Sequence, residues 1–520
     1  MKNLQCIIAC CLFLGCATGN KIKVERNEEI IKYAYSITAD NLEEHLRVLA
    51  SDEYEGRETG MQGQKMAAQY IQDYYERIGV RGGMPDGSYQ QSFPLIVNNP
   101  KNIELSMLKY AEGEADKPMK IELKCFEDYY FFGGFADTTI TDMELVFAGY
   151  GIKEKNFNSY TEDVQGKAVI VIEGSPTLPK DEELDKDWDN WRLKLKTAQQ
   201  QGASAMFTIK HNFRESVESI RYFVENPNMQ LHNQGRKKYK RIPNFYLPDS
   251  LIPILLSQSY SELESLGNNS ESFKTNIKIN MRSFFIDTSL KSENILGFIE
   301  GTDLKEEIVV LSAHYDHIGY DNGQVCNGAD DDGSGTVSVL EIAQAFALAK
   351  KEGKSPRRSI LFLNVSGEEK GLLGSQFYTE NPIYPLTNTI ADLNIDMIGR
   401  TDNNHDNDQY VYLIGSDRLS SDLDVIARQC NKLYAQLELD YTYNAESDPN
   451  KFYYRSDHYN FAKKNIPVIF YFSGVHEDYH KPTDDVEKIL FPKTAQIARL
   501  IFHTAWELAN RDDRPQLDNK

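Results

Sequence analysis

The apolar residues of the C-terminal half form short runs separated by stretches with helical spacing. Five of these runs have the length of strands buried on both faces of a sheet: 308–313, 360–365, 393–397, 410–414 and 467–472. Between them, apolar residues recur at helical spacing over 336–350, 370–379, 418–433 and 493–510. This alternation predicts an α/β fold in which helices cover both faces of a mostly parallel sheet.

The N-terminal half has a different pattern. Leu42, Leu46 and Leu49 mark one helix, a second runs from Met66 to Ile78, and 82–100 reads as loop because it is rich in Gly, Pro and Asn. Short β-like runs around a polar helix then predict an inserted β-rich domain. We therefore divide the chain into an N-terminal part of the main domain (41–139), the insertion (140–285) and a core that carries the site (286–520).

The first sixteen residues, MKNLQCIIACCLFLGC, combine one lysine with a short apolar run, which is the pattern of a signal peptide. Leu14-Gly15-Cys16 resembles a bacterial lipoprotein cleavage site, so we expect 1–16 to be the signal, Cys16 to carry lipid and 17–40 to form a polar tether. The protein would then be exported, as a periplasmic or cell-envelope lipoprotein held to a membrane only through this anchor. Plain secretion is the alternative.

The net negative charge of the chain argues against a nucleic-acid-binding protein. The formal net charge is −21, and such a chain repels phosphate backbones, so we expect no nucleic-acid partner. Carboxylates in excess suit metal sites and cationic peptide N-termini. The three cysteines beyond the signal, Cys125, Cys326 and Cys430, are too few and too scattered for a disulfide framework.

Side chains with metal and acid–base chemistry fall at the ends of the predicted strands. These positions are His314, Asp316, the run Asp330-Asp331-Asp332, the pair Glu368-Glu369, Asp396 and His480. The carboxyl ends of parallel strands meet at one edge of a sheet, so we expect these groups to converge. Two histidines and three carboxylates form a mixed nitrogen–oxygen set suited to zinc. Five ligands exceed the need of one tetrahedral ion and favour two metals that share a carboxylate.

The same residues resemble the co-catalytic dizinc aminopeptidases, a family related to bacterial leucyl aminopeptidases, glutamate carboxypeptidases and glutaminyl cyclases. The motifs that carry the resemblance, in chain order, are His314-Tyr315-Asp316, Gly328-Ala329-Asp330-Asp331-Asp332-Gly333-Ser334-Gly335, Glu368-Glu369, Asp396-Met397, and Tyr479-His480 with Asp484. The resemblance covers about 290–510 and extends to 41–95. The stretch Phe147–Gly151, with Gly166-Lys167, resembles the protease-associated domain that many members insert.

The resemblance implies a role for each site residue. His314 and Asp396 would hold one zinc ion, Glu369 and His480 the other, and Asp331 would bridge them. Asp316 would orient His314, Glu368 would be the general base, and Tyr479 would donate to the oxyanion. The implied activity is that of a metallo-aminopeptidase that removes N-terminal residues from peptides with a free N-terminus.

Several alternatives stay open at the level of sequence. His476-Glu477-Asp478-Tyr479-His480 fits the H-E-x-x-H motif of single-zinc proteases, although Gly474 and Pro482 leave little room for the helix that this motif needs. A single-zinc glutaminyl-peptide cyclase, a carboxypeptidase on the same fold and an inactive binding protein are the others. We interpret His317 as a structural or supporting residue, and His458 and Cys326 as packing residues.

Overall fold

The computed structural model describes residues 22–111, 114–131, 136–179, 184–225, 228–232 and 241–518. The predicted signal peptide, with Cys16, lies outside the described residues. None of the described helices has the length and apolar character of a membrane span.

The helices and strands are numbered here in chain order. The α-helices are α1 (Glu28–Ala34), α2 (Ala39–Leu49), α3 (Gln62–Arg77), α4 (Trp191–Gln200), α5 (Phe213–Glu225), α6 (Ile252–Leu256), α7 (Tyr260–Asn268), α8 (Gly335–Lys351), α9 (Leu373–Glu380), α10 (Ser421–Cys430), α11 (His458–Ala462) and α12 (Phe491–Asn510). The strands are β1 (Arg81–Gly82), β2 (Gln90–Ala111), β3 (Glu114–Leu123), β4 (Tyr130–Phe131), β5 (Thr138–Phe147), β6 (Ala168–Ile172), β7 (Ala205–Lys210), β8 (Asn228–Leu231), β9 (Asn244–Pro248), β10 (Phe273–Ile299), β11 (Leu304–His314), β12 (Gly319–Asp321), β13 (Gln324–Cys326), β14 (Arg358–Val365), β15 (Thr389–Ile395), β16 (Tyr410–Ile414), β17 (Glu438–Asp440) and β18 (Val468–Phe472).

The chain forms two compact units, of which the first combines residues up to Phe93 with those from Ser292 onward. Its strand order is β17-β16-β18-β15-β11-β14-β10. The four central strands β18, β15, β11 and β14 run parallel, whereas β16 and β10 pair antiparallel with β18 and β14. This is the predicted α/β fold with a mostly parallel sheet.

Alternate residues of the buried strands face helices on opposite sides of this sheet. Val309 and Leu311 of β11 pack in a cluster with side chains of α2, α8 and α12. Val310 packs in a separate cluster with Tyr378 of α9 and Phe461 of α11. Both faces are therefore covered, which explains why these strands read as unbroken apolar runs.

The second unit runs from Pro94 to Lys291. Its centre is a parallel sheet in the order β5-β6-β7-β9, with α4, α5, α6 and α7 in the same unit. Strands outweigh helices among the described residues of this unit, which agrees with a β-rich module. Its identity as a protease-associated domain stays a prediction.

Two stretches differ from the expected organisation. The predicted tether 17–40 contains α1, whose Ile30, Tyr33 and Ala34 are buried in the first unit's core. The predicted loop 82–100 contains the start of β2, which pairs with β3 and β8 inside the second unit. Residues 94–139 therefore belong to the second unit and not, as predicted, to the main domain.

Candidate metal and catalytic site

Four strands bring the predicted site residues to one edge of the first unit's sheet, at their ends or in the loops that follow them. His314 ends β11, Glu368 follows β14, Asp396 follows β15, and His480 lies in the loop after β18. Because these four strands are parallel, their carboxyl ends lie side by side. The fold thus joins residues that are far apart in sequence.

One cluster forms around His314, which is almost completely buried. Its Nε2 atom lies 3.3 Å from Oδ1 of Asp331, 3.8 Å from Oδ1 of Asp396 and 3.9 Å from Oε2 of Glu368. His314, Asp331 and Asp396 offer ligand atoms close enough together to hold a metal ion.

A second cluster forms around Glu369. Its Oε2 atom lies 3.1 Å from Nε2 of His480, and its Oε1 atom lies 2.9 Å from Nδ1 of His317. The Nε2 atom of His480 also lies 3.1 Å from Oδ2 of Asp331. Asp331 therefore joins the clusters, with Oδ1 toward His314 and Oδ2 toward His480.

The donor atoms of both clusters fit a divalent cation. Three of them are buried and have no hydrogen-bond partner among the described residues: His314 Nε2, Asp331 Oδ2 and His480 Nε2. Buried polar atoms without partners are costly unless a bound group satisfies them. A mixed set of imidazole nitrogens and carboxylate oxygens is suited to zinc.

The crowded charges move the pKa values of the site residues in opposite directions. Burial alone would lower the pKa of His480, but its contacts with Asp331 and Glu369 raise it to about 10. Burial and the charge of Asp331 oppose ionisation of Glu369, yet contacts with His317 and His480 lower its pKa to about 2. Burial raises the pKa of Glu368 well above its usual range, and the charge of Glu369 adds to this. Two adjacent carboxyl groups with such different pKa values are suited to different tasks.

Asp316 and Tyr479 flank the two clusters. The closest Asp316 atom to Nδ1 of His314 is the main-chain oxygen, at 3.0 Å, whereas the carboxylate lies 3.7 Å away. That carboxylate accepts hydrogen bonds from Thr59 Oγ1 and from the amide of Glu368. The ring of Tyr479 stacks on His480 at 3.9 Å, and burial raises the pKa of its hydroxyl, which therefore remains a donor at neutral pH.

Three further polar residues, whose tasks the sequence did not reveal, fix the ligand loops. Asp332 accepts hydrogen bonds from the amides of His314, Gly335 and Met397. Asp484 accepts from the amides of Asp330 and Asp331. Ser456 donates to Oδ2 of Asp396 at 2.6 Å. Each ligand loop is thus tied to a neighbouring segment.

Arg57 holds together main-chain segments next to the site. The side chain is completely buried and donates to four main-chain oxygens, those of Leu49, Tyr315, Asn327 and Gly328. Tyr315 adjoins His314, and the 327–328 segment leads to Asp331. One guanidinium therefore connects both ligand-bearing segments.

The remaining histidines of the motifs lie in different places. His476 faces Oδ2 of Asp330 at 3.2 Å, whereas His480 faces Asp331 and Glu369, and the segment between them contains no α-helix. The H-E-x-x-H interpretation therefore fails, because it needs both histidines on one helical face.

His458 stacks on Phe470 as a packing residue. Burial raises the pKa of Cys326 to about 11, which does not suit a nucleophile.

His317 is the residue that the sequence interpretation undervalued. It is fully buried, and together with Asp331 and Glu369 it forms the second group of side chains able to hold a metal. Its place directly after the His-x-Asp motif was the only available signal.

Comparison with known proteins agrees with this geometry. The profile of peptidase family M28 matches residues 294–505. A probable leucine aminopeptidase of Arthroderma benhamiae is 32% identical over 211 residues, covering 39% of this chain and 55% of that protein. Aminopeptidase YwaD of Bacillus subtilis is 24% identical over 384 residues, covering 72% of this chain and 69% of that protein.

A solved structure shares the fold. The aminopeptidase from Aneurinibacillus sp. strain AM-1 superimposes with a TM-score of 0.55 at 16% identity, covering 94% of this chain and 98% of that chain. The chain spans only about 55% of the length of the fungal leucine aminopeptidases that it matches. With the matching motifs gathered at one edge of the sheet, residues 294–505 are similar in sequence to peptidase family M28.

Proposed function

We propose that the protein is a zinc-dependent aminopeptidase that removes N-terminal residues from peptides, with two zinc ions per chain. One observation carries the proposal: two clusters of buried ligand atoms share Asp331, and Glu368 lies beside them. The family match and the aminopeptidase relatives support the same reaction.

Five side chains would hold the two zinc ions. His314 and Asp396 would hold one zinc ion, His480 and Glu369 the other, and Asp331 would contact both. When bound, zinc supplies a Lewis acid that polarises the scissile carbonyl and lowers the pKa of water.

Glu368 is the group placed to move protons. It is buried, contacts His314 at 3.9 Å, and has a raised pKa, so its carboxylate is a stronger base than an exposed glutamate. It takes a proton from the attacking water and delivers it to the leaving amine. The Tyr479 hydroxyl donates to the oxygen that gains negative charge.

A carboxypeptidase on the same fold is the alternative that one contact favours. Nη2 of Arg455 lies 3.5 Å from Oη of Tyr479, so a cation stands beside the site where a substrate carboxylate could be recognised. Aminoacyl-nitroanilides with free and acetylated N-termini, tested beside acylated peptides with free C-termini, separate the two activities. We expect cleavage only where the α-amine is free.

Removal of zinc tests the proposal as a whole. We expect a chelator to abolish hydrolysis of aminoacyl-nitroanilides and added zinc to restore it, because the proposed ligand atoms His314 Nε2, Asp331 Oδ2 and His480 Nε2 are buried without hydrogen-bond partners among the described residues. Metal analysis should give two zinc ions per chain. About one ion per chain would favour the glutaminyl-peptide cyclase, and full activity at much lower metal content would contradict any metallopeptidase.

Export and lipidation of Cys16 are a separate proposal, supported only by the signal-like sequence at 1–16. We expect Cys16→Ala to move the protein from the membrane fraction to the soluble fraction without loss of hydrolysis. Fractionation followed by the nitroanilide assay measures both. An unchanged membrane fraction would contradict lipidation at this residue.

A further inference from the structure

His317 is held rigidly against the proposed metal site. Its amide donates to the main-chain oxygen of Arg57 at 3.2 Å, and it pairs with Glu58 in an isolated bridge. Gly328 packs closely behind its ring, since a Cβ atom at Gly328 would come within 2.5 Å of the His317 Cγ. The ring therefore has little freedom to turn away from Glu369.

The two oxygens of the Glu369 carboxylate face different histidines. Oε2 lies 3.1 Å from Nε2 of His480, which also lies 3.1 Å from Oδ2 of Asp331. Oε1 lies 2.9 Å from Nδ1 of His317, and that nitrogen is 3.8 Å from Asp331. His480 thus faces both carboxylates of the cluster equally, whereas His317 is closest to the far oxygen of one.

The other ring nitrogen of His317 distinguishes a donor from a metal ligand. An imidazole that binds metal through one nitrogen usually donates its remaining N–H to an acceptor. His314 has such an acceptor, the main-chain oxygen of Asp316 at 3.0 Å from its Nδ1. Both ring nitrogens of His317 are buried and neither completes a hydrogen bond among the described residues, but Nδ1 is the one that lies beside a carboxylate oxygen, Oε1 of Glu369 at 2.9 Å. A proton on Nε2 would be stranded, so the ring is better satisfied with its proton on Nδ1.

We infer that His317 is a positioning residue whose Nδ1–H donates to Oε1 of Glu369. This bond fixes the rotation of the carboxylate and keeps Oε2 directed toward His480 and Asp331, where the second zinc would bind. The inference rests on the proposed zinc site, and it assigns to His317 a task that acts through Glu369 and not on the substrate.

Zinc affinity measured on matched variants tests the inference. Loss of a group that orients a metal ligand typically weakens metal binding about 10- to 100-fold. We expect His317→Leu to weaken the binding of one of the two zinc ions by that factor and to leave the affinity for the other unchanged. His317→Asn keeps an amide donor close to the position of Nδ1 and should restore most of the affinity. Equilibrium dialysis against buffered free zinc, with metal analysis, gives both constants.

A buried histidine away from the site provides the control. His503→Leu removes a histidine of α12 that stacks on Tyr434 at 3.7 Å, and it should leave both zinc constants unchanged. Melting temperatures of the metal-free proteins show whether His317→Leu and His317→Asn keep the same fold.

Three results would overturn the inference. The first is a His317→Leu variant with both wild-type zinc constants. The second is a His317→Asn variant as weak as His317→Leu at equal metal-free stability, since the donor would then not matter. The third is a zinc-loaded crystal structure with Nδ1 of His317 bonded to the metal. A wild-type protein that binds no zinc would instead overturn the proposed function, so the two failures are distinct.

Discussion

Glu368→Gln is expected to bind as much zinc as the wild type and to lose about 10²- to 10⁴-fold in turnover. The amide is nearly isosteric with the carboxylate but cannot accept a proton from the attacking water. Because the group acts mainly in the transition state, the loss should fall on kcat with little change in KM. Steady-state hydrolysis of an aminoacyl-nitroanilide, together with metal analysis of the same preparation, measures both quantities.

Glu369→Gln makes the same chemical change one residue along the chain and serves as the matched control. It removes the charge that faces His480 at 3.1 Å, so it should weaken zinc binding, and activity should return at high zinc. If Glu368→Gln loses zinc while Glu369→Gln keeps it, the two assignments are exchanged. If both variants remain fully active, the pair has no part in catalysis.

The sequence predicted the central part of the site because that part depends on strand ends alone. His314, Glu368 and Asp396 each lie at or just after the end of an apolar run of strand length, and parallel strands place their carboxyl ends together. The predicted stripe of α2 was also confirmed, since Leu42, Leu46 and Leu49 are buried. The pattern of apolar residues is a sound guide where a segment has one apolar face, as in α2, or two, as in the buried strands.

Long-range partners could not be predicted in this way. Ser456 contacts Asp396 across 60 positions of sequence, and a serine in a polar loop gives no sign of that bond. Asp332 adjoins Asp331 in an acidic run, but only the folded loop shows that it accepts hydrogen bonds from the amides of three segments. His317 was undervalued because its partner Glu369 lies on another strand's loop.

The start of β2 was hidden by its composition. Pro94 and the neighbouring asparagines are typical of loops, yet Phe93, Leu95 and Val97 are buried in alternation, as in a strand with one covered face. Its partners β3 and β8 come later in the chain, so local pattern alone could not place it. Helix α1 was missed because a seven-residue helix offers barely two turns of periodicity.

Arg57→Met is expected to damage both the fold and the metal site. The substitution leaves four buried main-chain oxygens without their donor, and each orphaned group costs about 1–3 kcal/mol. It also removes a buried cation surrounded by the charges of Asp316, Asp484 and Asp331. Removing one partner from a buried set of opposite charges typically costs about 3–5 kcal/mol. We expect the free energy of unfolding to fall by at least this amount.

Arg358 offers a control for the general cost of a buried arginine. It is as buried as Arg57 and donates to the main-chain oxygens of Leu508, Arg511 and Asp512, away from the ligand loops. Thermal unfolding of the metal-free proteins should show a large loss for both Arg57→Met and Arg358→Met. Zinc affinity, measured at a temperature below the unfolding transition, should fall only for Arg57→Met, because only Arg57 holds the segments next to His314 and Asp331.

Arg57→Lys keeps the charge but cannot reach four oxygens in a planar fork, so its zinc affinity should lie between that of the wild type and that of Arg57→Met. Equal zinc affinities for Arg57→Met and Arg358→Met would show that Arg57 stabilises the fold without shaping the site.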